Sequence, residues 1–236
     1  YACGFAETLK GSYSEQASTG VDVYTIRQPV GVCVGITPFN FPVMVPLWMF
    51  PNAIACGNTF ILKPSDRNPS APEFIIKLMN EAGFPKGVVN LINGGAETVN
   101  QLLSHDDVDA VSFVGSTPVA KHIYESGTAG GKRVQALGGA KNHMVVLPDA
   151  DIDLAADSAV SAAYGSAGER CMAISVVVAV GEVAEPLVNA ISDRIDNLKI
   201  GPGMQPDSEM GPLISEEHRS RVVDYINSGE AEGATV

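Results

Sequence analysis

Basic residues are scarce. Fifteen Lys and Arg stand against 27 Asp and Glu in 236 residues, a formal net charge of -12. No stretch gathers the basic ones into a patch. A protein that tracks a phosphate backbone needs such a patch, so nucleic-acid binding is excluded. Docking on an anionic membrane surface is excluded for the same reason. Charge is missing altogether from residues 28–62. A membrane-spanning helix needs about 20 apolar residues, but Pro29, Pro38, Pro42, Pro46 and Pro51 interrupt this run. Repeated prolines break helical bonding, and lipid cannot repair it. The segment therefore reads as buried protein interior. Cysteine is sparse too: Cys3, Cys33, Cys56 and Cys171, with no C-x-x-C spacing. That excludes a disulfide scaffold and points to free thiols in a reducing compartment. His105, His122, His143 and His218 fall into no metal-ligand spacing. Neither G-x-G-x-x-G after an apolar run nor G-x-x-x-x-G-K-[ST] is present, so a Rossmann fingerprint or P-loop site is not supported. The chain opens on YACGFAETLKG, with no basic leader and no initiator Met, and reads as a piece of something longer.

What is present is an alternation. VDVYTIRQ (21–28) suits a half-exposed strand, and GVCVGIT (31–37) and NTFILKP (58–64) suit buried ones. SAPEFIIKLMNEAG predicts a helix with a Ser70/Glu73 capping box and an apolar face of Phe74, Ile75, Leu78, Met79 and Ala82, closed by Gly83. GVVNLING, DAVSFVG, RVQALGG, HMVVLP and ISVVVAV read as strands, the last as a buried one. AETVNQLLSHD, TPVAKHIYESG, DIDLAADSAVSAAYGSAG, EPLVNAISDRIDNL and SEEHRSRVVDYINSG read as helices. Strands alternating with helices over short connections predict an α/β fold with a parallel, doubly covered sheet. Ligands in such sheets bind at the carboxyl ends of the strands.

The turns after the strands therefore carry the chemistry. Asn40 lies in TPFNFP, where a side-chain amide either fixes a turn or donates to a developing oxyanion. Lys63 and Asp66 in KPSDR either hold the hydroxyls of a ribose or form a solvated charged turn. Ser116 opens a helix and is either an ordinary N-cap or a phosphate site. Cys171 in SAGERCMAIS follows Arg170, whose charge favours a thiolate. The alternative for Cys171 is a small buried hydrophobe. Cys33, within a strand, and Cys56, near a helix end, read as inert.

TPFNFP, ILKPSDRNP, FVGSTPVA, ALGGAKNHMVV and GERCMA occur together in one order. In this the chain resembles the aldehyde dehydrogenase superfamily over essentially its whole length, and most closely its CoA-acylating, methylmalonate-semialdehyde branch. The resemblance implies Cys171 as nucleophile and Asn40 as oxyanion donor. It implies Lys63 and Asp66 at the adenosine ribose, Ser116 at the pyrophosphate, and Thr37, Phe39, Arg67 and Gly138 as further cofactor positions. It implies Arg170 as the anchor for a substrate carboxylate. NAD is favoured over NADP because Asp66 repels a 2′-phosphate. Hydrolytic members carry Glu in an ELGG segment where this chain has Ala136 in ALGG, and alanine cannot be a general base. That agrees with thiol release to CoA.

The expected architecture is aldehyde dehydrogenase-like. Residues 1–140 form an NAD-binding domain lacking its N-terminal start, with 21–28 in an oligomerisation hairpin. Residues 141–236 form the front of the catalytic domain. The implied reaction oxidises malonate or methylmalonate semialdehyde through a cysteine thioester, with decarboxylation, to acetyl-CoA or propionyl-CoA. The implied setting is a homo-oligomer, dimer or tetramer, in a bacterial cytoplasm or, in a eukaryote, the mitochondrial matrix. Two alternatives are a hydrolytic NAD-dependent aldehyde dehydrogenase and a catalytically silent structural piece.

Overall fold

The structure is a computed structural model that describes residues 1–236. The chain divides into two compact units, Tyr1–Gly139 and Ala140–Val236.

The first unit opens with a short helix α1 (Phe5–Thr8) and a two-stranded antiparallel ribbon, β1 (Tyr13–Ser18) and β2 (Val21–Tyr24). The alternation at 21–28 predicts one buried face, yet every residue of both strands is exposed. A two-stranded ribbon has no second layer of its own to bury against. It is held locally by Tyr13 Oη donating to Asp22 Oδ2 (2.8 Å) and Gln16 N donating to Asp22 Oδ1 (2.8 Å).

The body of this unit is a five-stranded parallel sheet. Its strands are β3 (Val32–Ile36), β4 (Thr59–Lys63), β5 (Val89–Leu91), β6 (Val108–Val114) and β7 (Arg133–Leu137), in the order β5-β4-β3-β6-β7. The chain thus winds outward from β3 in one direction, then returns to β3's other side. That reversal is the topological switch point of doubly wound sheets, where a crevice opens. The sheet has this topology without the glycine fingerprint.

Helices α2 (Met44–Ala55) and α3 (Ser70–Glu81) cross over on one face. Met49, Phe50, Phe60 and Leu62 form the core there. Helices α4 (Ala96–Ser104) and α5 (Thr117–Ala129) cover the other, with Val34, Val111, Phe113 and Ile123 at its centre. Gly35 is obligatory in β3, because a Cβ there would come within 2.4 Å of the Phe60 ring.

Further expectations are corrected in this unit. The prolines do not stop α2, which runs through Pro46 and Pro51. Pro46 falls in the first turn, where N–H groups have no intrahelical partner anyway, and burial of Val45, Pro46, Met49 and Phe50 offsets the bond missing at Pro51. Nor is the uncharged segment wholly interior, since Leu47 and Trp48 are exposed. The Ser70/Glu73 capping box does not form. Pro69 is the N-cap, and Glu73 instead accepts a hydrogen bond from Asn93 Nδ2 (2.7 Å). On α3, Ile75, Ile76 and Met79 pack inward while Phe74 and Leu78 stay exposed.

The second unit pairs β8 (Asn142–Val146) with β9 (Ile174–Ala179) in parallel. Helices α6 (Ile152–Tyr164) and α7 (Ala184–Asp196) pack on one face through Val146, Ala156 and Leu187. Arg194 clasps the two helices by binding Asp157 and Asp153. β9 is not the buried strand its apolar run predicts. Val176 and Val178 are exposed, as is Val145 on β8, because only one face of the pair is covered. Helix α8 (Glu216–Ala231) closes the chain, its N-cap Ser215 accepting from His218 N. No helix is long and apolar enough to cross a membrane.

Candidate active site

In the first unit a cleft of about 270 Å³ opens at the switch point, at the carboxyl ends of β3, β4 and β6. It brings together Thr37, Phe39, Lys63, Asp66, Arg67 and Ser116. These six residues come from three separate turns.

Thr37 closes β3, its N–H donating to Lys63 O (3.1 Å). It is 4% exposed, and its hydroxyl has no hydrogen-bond partner. A buried hydroxyl without a partner carries a desolvation cost of about 1–3 kcal/mol, which a polar ligand in the cleft would relieve. Lys63 ends β4 at 6% exposure. Burial pushes its ammonium pKa down, and the Asp66 carboxylate pulls it partly back. An ammonium and an adjacent carboxylate together offer donors and acceptors to a vicinal diol, as a ribose presents. Arg67 lies 5.9 Å over the Phe39 ring, close enough for cation–π attraction. Asn68 Nδ2 donates to Phe39 O (2.7 Å). The turns after β3 and β4 are therefore braced against each other, and Asn68 is a residue that sequence reading missed.

Ser116 stands at the N-cap of α5 with extended backbone angles, and its side chain makes no capping bond. Its hydroxyl is not spent on its own helix. The free N–H groups of the first turn and the helix dipole face that end, an arrangement that suits a phosphate. The cleft thus gathers an unpartnered hydroxyl, an ammonium–carboxylate pair and a helix N-terminus in one crevice, groups that suit a polar, phosphate-bearing ligand. Gly138 does not line it. A Cβ at 138 would come 2.9 Å from Thr117 Oγ1 and 3.2 Å from Thr117 Cα. This glycine permits close passage of the chain leaving β7, where Gly139 N donates to Thr117 Oγ1 (3.0 Å). Asn40 is half-buried in the bend between β3 and α2.

Ala136 alternates with Leu137 at the end of β7, and its methyl packs against the core cluster under α4 and α5. Leu137, on the opposite face, is 46% exposed and borders a cavity of about 390 Å³ with Trp48 and Asn52. Neither side chain, nor Gly138 after them, can accept a proton.

In the second unit, Cys171 sits half-buried in the loop between α6 and β9. The sequence predicts α6 to run on through Gly168, but the helix ends at Tyr164. Ser166 (φ 53°), Ala167 (φ 52°) and Gly168 (φ 74°) then turn left-handed. Left-handed backbone costs about 1–2 kcal/mol for each non-glycine residue, and such strain concentrates at functional sites. The Arg170 guanidinium lies directly over Gly165, where a Cβ would come within 2.6 Å of it. Arg170 Nε reaches Ser166 Oγ (3.4 Å), and the guanidinium borders a cleft of about 570 Å³ with Ser161 and Tyr164. Glu169 is anchored away from it, accepting from Ile214 N (3.3 Å) and lying 3.4 Å from His218 Nε2. The other thiols differ in setting. Cys33 has its pKa pushed up by burial, then by Asp109 and Cys56, which disfavours the thiolate. No cluster of His, Cys, Asp and Glu could hold a metal ion.

The aldehyde dehydrogenase family model matches residues 1–236. The malonate-semialdehyde dehydrogenase of Pseudomonas aeruginosa is 56% identical over 235 residues, covering 99% of this chain and 47% of the relative. That of Halalkalibacterium halodurans is 52% identical over 236 residues, covering 100% of this chain and 49% of the relative. Among solved structures, methylmalonate-semialdehyde dehydrogenase from Oceanimonas doudoroffii superposes with a TM-score of 0.97 at 55% identity, covering 100% of this chain and 48% of that one. A putative methylmalonate-semialdehyde dehydrogenase from Sinorhizobium meliloti, complexed with NAD, gives 0.97 at 51% identity, covering 99% and 48%. The chain spans about half the length of the curated relatives it matches. With its fold and sequence matched end to end, the chain belongs to the aldehyde dehydrogenase family.

Proposed function

We propose that these residues serve an NAD-dependent, CoA-acylating oxidation of malonate or methylmalonate semialdehyde. The observation that carries the CoA branch is the end of β7. Residue 136 is alanine, Leu137 is apolar and Gly138 has no side chain, so no carboxylate is offered there to activate water. A thiol co-substrate needs no such base, because a thiolate is itself a strong nucleophile.

Cys171 is the nucleophile and attacks the aldehyde carbon. Asn40 and a backbone N–H at Cys171 hold the oxyanion, and such a donor typically contributes about 10²–10³ in rate. Arg170 holds the substrate carboxylate, a pairing suited to its planar fork of donors. In the cleft, Lys63 and Asp66 hold the adenosine ribose, Ser116 and the start of α5 the pyrophosphate, and Thr37, Phe39 and Arg67 the rest of the cofactor's near end. NAD, when bound there, supplies the hydride acceptor. Cys171 is left as a thioester, the substrate carboxylate leaves as CO₂ and a proton takes its place on carbon. The CoA thiol takes the acyl group and returns the thiol to Cys171. The exposed β1–β2 ribbon, with Tyr13, Val21, Val23 and Tyr24 in solvent, is the proposed oligomerisation element.

NADH formation from malonate semialdehyde by the full-length polypeptide, with and without CoA, tests the reading. Sustained turnover should require CoA. Equal turnover without it, with free acid as product, contradicts the thiol-release assignment and favours hydrolysis.

A further inference from the structure

Asn142 opens β8 and pairs with Ile174 of β9, at the point where the register of the two strands shifts. Its side-chain Nδ2 donates to two carbonyls of the neighbouring loop, Cys171 O (2.9 Å) and Ala173 O (2.9 Å). Both donors of the amide are thereby used. The same loop is a tight turn, with Ala173 N donating to Arg170 O (3.1 Å). Cys171 and Met172 occupy its two corners. In a turn closed from residue i to residue i+3, the N–H groups of the corner residues take no part in closure. The Cys171 N–H is therefore not consumed by the turn.

Met172 is 75% exposed, and the chain leading in is the left-handed Ser166–Gly168 segment. Ala173, buried at 8% exposure, anchors one end. The peptide between Cys171 and Met172 is held through its carbonyl, which accepts from Asn142 Nδ2. One nitrogen bridging carbonyls i and i+2 needs two N–H donors, which a primary amide supplies on a short, uncharged arm. A hydroxyl has one donor, and a carboxylate has none and would repel both oxygens.

We propose that Asn142 is a positioning residue that locks the Cys171 turn, holding the nucleophile and its backbone N–H in one geometry toward the developing oxyanion. The proposal rests on Cys171 being the nucleophile. A reacting group displaced by about 1 Å loses on the order of 10² in rate. That loss should fall on kcat, because the orientation matters most in the transition state.

The test uses Asn142→Ala, Asn142→Asp and Asn142→Gln in the full-length polypeptide. The aspartate keeps the side-chain shape without the donors, and the glutamine keeps the donors on a longer arm. The expected order of kcat is wild type, then Gln, then Asp and Ala, the last two about 10²-fold down. KM for the aldehyde and the dissociation constant of NAD should stay within about threefold. NAD binding and the melting temperature of each variant report its folded fraction. If Asn142→Asp keeps kcat within about twofold, or loses activity only in step with its folded fraction, the positioning role is overturned. Cys171→Ser run alongside separates the two claims. An active serine variant sinks the nucleophile assignment, whereas an inactive one beside fully active Asn142 variants sinks only this inference.

Discussion

Replacing Thr37 by Val changes one oxygen for one methyl at the mouth of the cleft. The residue is 4% exposed and its hydroxyl has no partner, so the chain without ligand bears the desolvation of that group and gains nothing from it. An unsatisfied buried hydroxyl costs about 1–3 kcal/mol. Valine keeps the β-branch that suits the end of β3, and the backbone bond from Thr37 N to Lys63 O remains. Thr37→Val should therefore stabilise the unliganded chain by about 1–2 kcal/mol, a rise of roughly 2–8 °C in melting temperature for a domain of this size. The effect on NAD runs the other way. Losing one neutral hydrogen bond, about 0.5–1.5 kcal/mol, weakens binding by about two- to tenfold. Scanning calorimetry without ligand and titration calorimetry with NAD read the two signs on one protein. Destabilisation of the unliganded chain, or unchanged NAD affinity, would refute the assignment of this hydroxyl to the cofactor.

Three further outcomes follow from the same geometry. Lys63 has its pKa lowered by burial, so its positive charge is lost at a lower pH than the usual value of about 10.4 for lysine. NAD affinity should therefore fall as pH rises through the lowered pKa, and Lys63→Arg, which stays charged, should flatten that limb of the titration. Ala167→Gly relieves a non-glycine residue held at φ 52°, and urea unfolding should show about 1 kcal/mol of added stability where an ordinary Ala→Gly change shows a loss. Arg170→Ala should lower kcat/KM for malonate semialdehyde about 10–10²-fold, the worth of a charge-assisted pair, while leaving propanal within about threefold. An unchanged ratio between the two substrates would remove Arg170 from the role of carboxylate anchor.

The order of elements was legible because continuous apolar runs and helical periodicity are local properties, and they delimit β3 to β7 and their crossovers. Lys63, Asp66 and Ser116 drew attention from their place at or just after strand ends, whereas Thr37, Phe39 and Arg67 were named only through the family resemblance; the structure places all six along one cleft. What the sequence concealed depends on contacts between distant segments. Asn68 reaches Phe39 across 29 positions, and Asn142 reaches Cys171 across another 29. Neither residue differs locally from an ordinary polar residue at a strand or helix boundary. The left-handed turn at 166–168 was hidden by the alanine-rich composition of SAAYGSAG, which favours helix. Burial of β9 was overestimated because an apolar run reports that a strand can be covered on both faces, not that it is.

The most direct test of the central claim is mass spectrometry of the full-length polypeptide after mixing with malonate semialdehyde and NAD in the absence of CoA. The account predicts an acetyl group on the peptide containing Cys171, formed with one burst of NADH and removed when CoA is added. Unmodified Cys171 with steady release of free acid would contradict it.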